Sequence, residues 1–454
     1  MKTKPNIVYI LTDQMRAHAT GYNGDPNVKT PYLDKLASES VDFTNAISNT
    51  PICTPYRACL LSGQYPLTHG LFMNDLTMPD NGNSLAQVYQ RAGYDTACIG
   101  KWHLDGEGRS AYIPKERRQG FDYWKVLECT HDYNKSYYYE GDDSTKKEWD
   151  GYDTYAQTED AISYVENKKD SDSPFFLYLC YGTPHDPYHT APEDLMALYP
   201  KDKITLRDNV REFKKEEALN QHQGYYAHVT AIDKSVEKLD KALCDSGLKD
   251  NTIFVFTSDH GDCLESQSDI KFARGSRKQV PYEESIRVPF LLRYPEKYGE
   301  KGRIVDAPIG APDIMPTLLS MSDLKTPDCV EGIDLSQAIE GNEPERKGVL
   351  IANYHPFADN RVSHGGRPYR GIRTKQYTFV RDLNGPWMLF DNKKDPYQLI
   401  NLVNNKEHSS IQSDLDNELG DILKNQNDSF ERPEQLRERF GYEVGTGESI
   451  PYKN

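Results

Sequence analysis

Four short apolar runs each stop at residues that carry chemistry, and this pattern limits the folds open to the chain more than any other feature. The runs cover 7–11, 95–99, 175–181 and 253–257. Each is rich in β-branched or aromatic residues, the signature of a buried strand. Helical stretches separate them. Thr30 can cap a helix that begins at Pro31 and continues through Leu33, Leu36 and Ala37. Ser84 can cap another that closes at Gly93. Val229, Ile232, Val236, Leu239 and Leu243 form one face of a long amphipathic helix ending at Gly247. Strands alternating with helices predict an α/β domain, a large and mostly parallel sheet flanked by helices. Past Pro344 the pattern changes to extended runs over 369–380 and 387–390, then a helix around 410–423. Residues 1–345 therefore read as one domain. Residues 346–454 read as a smaller C-terminal α+β domain that carries an antiparallel sheet and closes over the cleft.

In an open α/β sheet, ligands bind beyond the carboxyl ends of the strands. The four runs are followed in turn by Asp13-Gln14, by Lys101-Trp102-His103, by Thr183-Pro184-His185 and by Asp259-His260. Taken singly, each Asp reads as a turn residue or helix cap and each His as a satisfied core or surface group. Their joint placement at one sheet edge favours a shared site.

A second cluster is Cys53-Thr54-Pro55-Tyr56-Arg57, with Gly63 a few residues on. Pro55 suits a first helical turn and Gly63 a helix end. Cys53 then lies at a helix N-terminus, which attracts anions and lowers a thiol pKa. A capped helix with a buried cysteine explains the same residues equally well. The chain's eight cysteines include no CxxC pair, and most read as small buried hydrophobes.

With 54 Lys plus Arg against 70 Asp plus Glu, the net charge is −16, which argues against a nucleic-acid partner. No apolar run approaches the ~18 residues of a membrane span. The first residues lead straight into a strand and leave no room for a signal peptide. The expectation is a cytoplasmic protein as given, or a periplasmic or secreted one if a signal was trimmed.

The segments Cys53–Arg57 and 61–70 (Leu-Ser-Gly-Gln-Tyr-Pro-Leu-Thr-His-Gly) resemble the signature of the type I, formylglycine-dependent sulfatases of the alkaline-phosphatase-like superfamily. That family's motif is Cys(or Ser)-x-Pro-x-Arg, usually with Ser fourth, where this chain has Tyr56. Further elements match in order: 6–14, 100–103, 184–187, 258–262, 278–289, 389–396 and 401–402. The resemblance thus covers nearly the whole chain.

The resemblance implies that Cys53 is oxidised to formylglycine by a formylglycine-generating maturation enzyme. The hydrated aldehyde attacks sulfur with one hydroxyl and displaces the alcohol. The other hydroxyl then loses its proton, the aldehyde reforms and sulfate leaves. Asp13, Gln14, Asp259 and His260, with the modified Cys53, would hold a divalent metal. Oxygen ligands favour Ca²⁺, while the imidazole of His260 shifts the preference toward Mn²⁺ or Zn²⁺. Lys101, His185 and Lys278 would surround the sulfate oxygens, and Arg57 would support the nucleophile. Lys271 competes with Lys278 for that place. His103 is the candidate base and His185 the candidate acid, two roles that are exchangeable. The resemblance favours a sulfated carbohydrate as substrate. For its recognition the sequence offers Asp105, His364, Arg367, Tyr354-His355 and the aromatic stretch 131–139, which reads equally well as a Tyr-rich surface loop. The nearest rival function is a phosphonate or phosphate ester hydrolase of the same superfamily. A glycan-binding protein built on a dead enzyme is the other, and it would require a broken core motif.

Overall fold

A computed structural model describes residues 4–267, 277–342 and 344–451. Its centre is a ten-stranded mixed sheet. The middle five strands are parallel, in the order Thr252–Ser258, Asn6–Asp13, Phe175–Pro184, Asp95–Lys101 and Tyr123–Leu127. Four of these are the predicted runs, each extended by one to three residues at its carboxyl end.

The sheet is covered on both faces, and the alternation of side chains explains why. In Asn6–Asp13, Ile7, Tyr9 and Leu11 join the core on one face, while Val8 and Ile10 join the core on the other. All five are fully buried. A strand buried on both sides is apolar at every position instead of every second one. The 31-residue helix Lys215–Asp245 lies on the second face and buries Val229, Ile232, Val236, Leu239 and Leu243 there. Burying each such side chain contributes about 1.5–3 kcal/mol. Ser84 caps Leu85–Arg91 through a reciprocal capping box with Gln87. Thr30 makes no capping bond to Pro31–Glu39; its hydroxyl donates to Asp34 instead.

A separate four-stranded antiparallel sheet runs in sequence order through Gly348–Asn353, Tyr369–Thr374, Tyr377–Asp382 and Gly385–Asp391. The helix Ser409–Asn425 packs on it through Leu419 and Leu423. Among the described residues no helix is long and apolar enough to cross a membrane.

One glycine sets the geometry of a strand end. Gly100 has φ +98°, and a Cβ there would lie 2.1 Å from the Cys180 carbonyl oxygen. Backbone cannot yield as a side chain can. Gly100→Ala is expected to cost about 3 kcal/mol or more, through a clash added to a disfavoured φ. Urea unfolding of the variant measures this, and an unchanged midpoint would refute it.

Candidate active site

The helix Cys53–Ser62 begins at Cys53, with Ile52 as an extended N-cap, and ends at Gly63 in the left-handed region. All ten of its residues are buried. Cys53 therefore sits at the positive end of a buried helix dipole. Thr54 fixes that end, its N–H donating to Asn74 Oδ1 and its hydroxyl to the His103 carbonyl.

The strand ends converge on the sulfur of Cys53. His260 Nε2 lies 3.2 Å from it, Asp13 Oδ1 3.6 Å, Lys278 Nζ 3.6 Å and Lys101 Nζ 3.9 Å. Asp13, Cys53, Asp259 and His260 are all buried, with ligand atoms within 4.8 Å of one another. Gln14 stands beside them. Its backbone N–H donates to Asp259 Oδ1 at 3.1 Å and its Nε2 to Asp262 Oδ2 at 2.5 Å, while its Oε1 is buried with no hydrogen-bond partner. Two carboxylates, an imidazole and an unpartnered amide oxygen are a donor set that fits a divalent cation.

Cations frame this acidic pair. Arg57 donates to Asp259 Oδ2 through Nε (3.3 Å) and Nη2 (3.1 Å), and to the Lys101 carbonyl through Nη1 (3.1 Å). Its Nη2 also lies 3.4 Å from Asp13 Oδ2. Lys101 Nζ lies 2.5 Å from that same oxygen. Burial alone would raise the Asp13 pKa, but Lys101, then His185, His260 and Arg57, hold it well below the usual carboxylate range. Asp259 is pushed up by burial and by the Asp13 charge. Burial and Asp13 oppose ionisation of Cys53, yet Lys101, Lys278 and His260 together hold its thiol well below the usual value.

The two remaining imidazoles differ. His103 faces Asp75 Oδ1 at 3.1 Å through Nε2, and Arg109 pairs with the same carboxylate. Burial disfavours the charged ring, but Cys129 and Asp75 outweigh it and lift the pKa to about 10. His185 Nε2 lies 2.9 Å from Lys278 Nζ, and its Nδ1 faces the Asp186 carbonyl at 2.8 Å. Burial, and then Lys278, push its pKa down to about 3. One ring holds its proton at neutral pH and the other does not.

These groups line a cavity of about 240 Å³ that contains Cys53, Lys101, His103, His185 and Lys278. Its outer wall adds residues that the sequence did not single out for substrate: Asn74, Arg109, Asp186, Asp359 and Asn360, with Arg277. His131 also lines it, its ring stacked on His185 with centroids 4.7 Å apart. It opens the aromatic stretch, whose tyrosines are used elsewhere. Tyr133 is buried and donates to the Gly182 carbonyl, and Tyr138 stacks on Trp149. The sequence also placed Asp105, His364 and Arg367 at the substrate, and none of them lines this cavity. Asp105 is buried and held by Arg117 through two bonds of 2.6 and 3.1 Å. Arg367 pairs with Asp382 and covers the Trp387 ring. Tyr354 is buried under Arg370, and His355 faces the Glu448 carbonyl. Lys271 lies outside the described residues.

The C-terminal part of the chain is tied into the rim. Asn360 Nδ2 donates to the Lys278 carbonyl, Asn353 Nδ2 to the Gln279 carbonyl, and the Phe357 N–H to Gln279 Oε1.

A family model described as sulfatase matches residues 5–324. The chain belongs to the sulfatase family. It is an enzyme that hydrolyses sulfate esters. A second model, described as the C-terminal part of N-sulphoglucosamine sulphohydrolase, matches residues 276–425. An ulvan-active sulfatase of Formosa agariphila is 48% identical to this sulfatase, over 99% of this chain and 87% of the relative. A putative sulfatase of Bacteroides fragilis has the same architecture, with TM-score 0.84, 29% identity and coverage of 95% and 97% of the two chains. A third relative, solved in complex with its substrate D-glucosamine-2-N,6-O-disulfate, has TM-score 0.79 at 25% identity and covers 94% and 99%.

Proposed function

We propose that this sulfatase releases sulfate from a sulfated carbohydrate, using a formylglycine made from Cys53 by a maturation enzyme and a divalent cation held at Asp13, Gln14, Asp259 and His260. The observation that carries the reading is the convergence of His260, Asp13, Lys278 and Lys101 on one buried sulfur at a helix N-terminus. When bound, the cation polarises sulfuryl oxygens and lowers the pKa of the attacking hydroxyl. Lys101, Lys278 and His185 face the place where sulfate oxygens gather charge, and fixed donors there stabilise the transition state. His103, which holds its proton, serves as the donor and His185, which does not, as the acceptor, the exchange of the two roles named from the sequence. Arg57 holds the two metal-loop carboxylates in place. A carbohydrate is supported by the two relatives named for ulvan and for a disulfated glucosamine. The cavity is smaller than the ~300–1,000 Å³ of drug-sized sites, which suits one sulfated sugar unit.

The test is a screen of singly sulfated mono- and disaccharides with matured protein, following sulfate release, beside a phosphate diester and a phosphonate ester of matched leaving group. Faster cleavage of the phosphorus esters would overturn the assignment in favour of the rival hydrolase.

Removal of the cation gives a separate expectation. Dialysis against a chelator should abolish turnover and lower the melting midpoint, because an ion bound at 100 times its Kd stabilises the folded state by about 2.7 kcal/mol. Adding back Ca²⁺, Mn²⁺ or Zn²⁺ singly identifies the ion, with Ca²⁺ expected to restore most activity. A melting midpoint indifferent to chelator and to all three ions would count against this site.

A further inference from the structure

The loop 70–78 brings a buried carboxylate to the active site that neither the metal loops nor the sulfate-facing cations use. Asp75 is 8% exposed, and its Oδ1 lies 3.1 Å from His103 Nε2. Arg109, on the cavity wall, braces the same group, with Nε 3.3 Å from Oδ1 and Nη2 3.4 Å from Oδ2. Burial alone would raise the Asp75 pKa, but His103 and then Arg109 hold it down at about 2. At neutral pH the group is therefore ionised and can only accept. It needs a hydrogen from the ring nitrogen it faces, so Nε2 carries one. That leaves Nδ1, which is buried without a hydrogen-bond partner, on a ring that also meets the Cys53 side chain.

The carboxylate is held in place from both sides. Its neighbour Asn74 accepts the Thr54 N–H through Oδ1 at 3.0 Å, and the Thr54 hydroxyl donates to the His103 carbonyl at 2.8 Å. Thr54, Asn74, Asp75 and His103 thus close a ring of bonds on the residue next to Cys53. Past Asp75 the loop runs beside the segment that follows His103. The Met78 N–H donates to the Leu104 carbonyl at 2.8 Å, and the Thr77 hydroxyl donates to the Asp105 carbonyl. Before Asp75, Phe72 packs among Tyr354, Phe440 and Tyr442, with ring centroids 6.3, 5.3 and 5.4 Å away. Asp75 and His103 both hold left-handed backbone angles, with φ +64° and +60°. Residues with a Cβ disfavour that region and stay there only where their surroundings enforce it.

We propose that Asp75 is the positioning residue for His103: its carboxylate fixes the ring's tautomer and its angle to the group at position 53, and so sets the rate of the proton step without touching substrate. The hydrogen on Nε2 stays there throughout and Asp75 gains none; the proton that moves does so at Nδ1. The inference rests on the reading that His103 moves a proton during sulfate release.

Asp75→Asn in matured full-length protein tests this. Asn tolerates the same backbone angle and keeps the shape, but it can offer an N–H to Nε2 and favour the other tautomer. On a singly sulfated monosaccharide, kcat is expected to fall about 10–100-fold, the usual cost of losing a partner that orients a functional imidazole. KM should hold within about twofold and the unfolding midpoint should not move. A double variant, Asp75→Asn with His103→Gln, should be no slower than His103→Gln alone, because Asp75 acts only through that ring. If Asp75→Asn fails to fold, Asp75→Gly, which suits the same φ, takes its place in the cycle. A full kcat in the Asp75 variant beside a slow His103→Gln overturns the proposal and leaves the reading of His103 standing. Losses that multiply in the double variant overturn it too, since they mark a structural role independent of the ring. His103→Gln at full rate overturns the reading of His103 and the proposal with it.

Discussion

Cys53→Ala is expected to remove sulfate release almost entirely, by about 10⁴-fold or more, as loss of a covalent nucleophile does elsewhere. The fold should survive. The side chain is small and 1% exposed, and alanine fits the first turn of the helix at least as well. Binding and catalysis should therefore separate, with substrate still captured by Lys101, His185 and Lys278. Initial rates with an unchanged unfolding midpoint check this. A variant that keeps even a tenth of the activity would show that the sulfur position is not where sulfate is attacked. Cys53→Ser, shown by intact mass to be unmodified, is the informative companion, because an unoxidised serine oxygen can attack but cannot regenerate an aldehyde.

Arg57→Ala is expected to damage stability as much as rate. The guanidinium is fully buried and serves both Asp13 and Asp259. Its removal strips two buried carboxylates of a partner, a change that typically costs about 3–5 kcal/mol. The metal loops would also shift, and displacement by even an ångström can cost about 10²-fold in rate. Arg57→Lys should recover part of the stability and little of the rate. An ammonium retains the charge but cannot reach Asp259, Asp13 and the Lys101 carbonyl together as the planar fork does. Urea titration beside initial rates measures both. An Arg57→Ala protein as stable as the parent would mean that the bound cation alone neutralises the pair.

What could be read from the sequence followed from how local each signal is. The strands before Asp13, Lys101, His185 and Asp259 are short, largely apolar runs, and the chemistry sits at their ends, so one stretch of chain reports both. The helix that begins at Cys53 announces itself through Pro55 and Gly63 in the same way. The outer sheet does not. Its strand Asp143–Glu148 is exposed at nearly every position and carries no apolar alternation. Val41–Phe43 and Arg303–Val305 are three residues each, too short for a period. The cavity's outer wall was hidden for another reason. Asn74, Arg109 and Asn360 reach it from separate loops, and only the tertiary fold brings them together. The aromatic stretch misled because rings that suit sugar faces suit a protein interior equally well, and Tyr133 and Tyr138 serve the interior.

The ties from Asn353, Phe357 and Asn360 to the segment around Lys278 put a clock on the chain's synthesis. Cys53 emerges early, yet the rim of its cavity is complete only when Asn360 has been made. At about 5–20 residues per second, the intervening stretch of about 300 residues takes roughly 15–60 s. Until then the rim above the thiol is incomplete; afterwards the side chain lies at the floor of the cavity. A macromolecule that acts on this side chain has its access in the interval, and the last quarter of the polypeptide shuts the door.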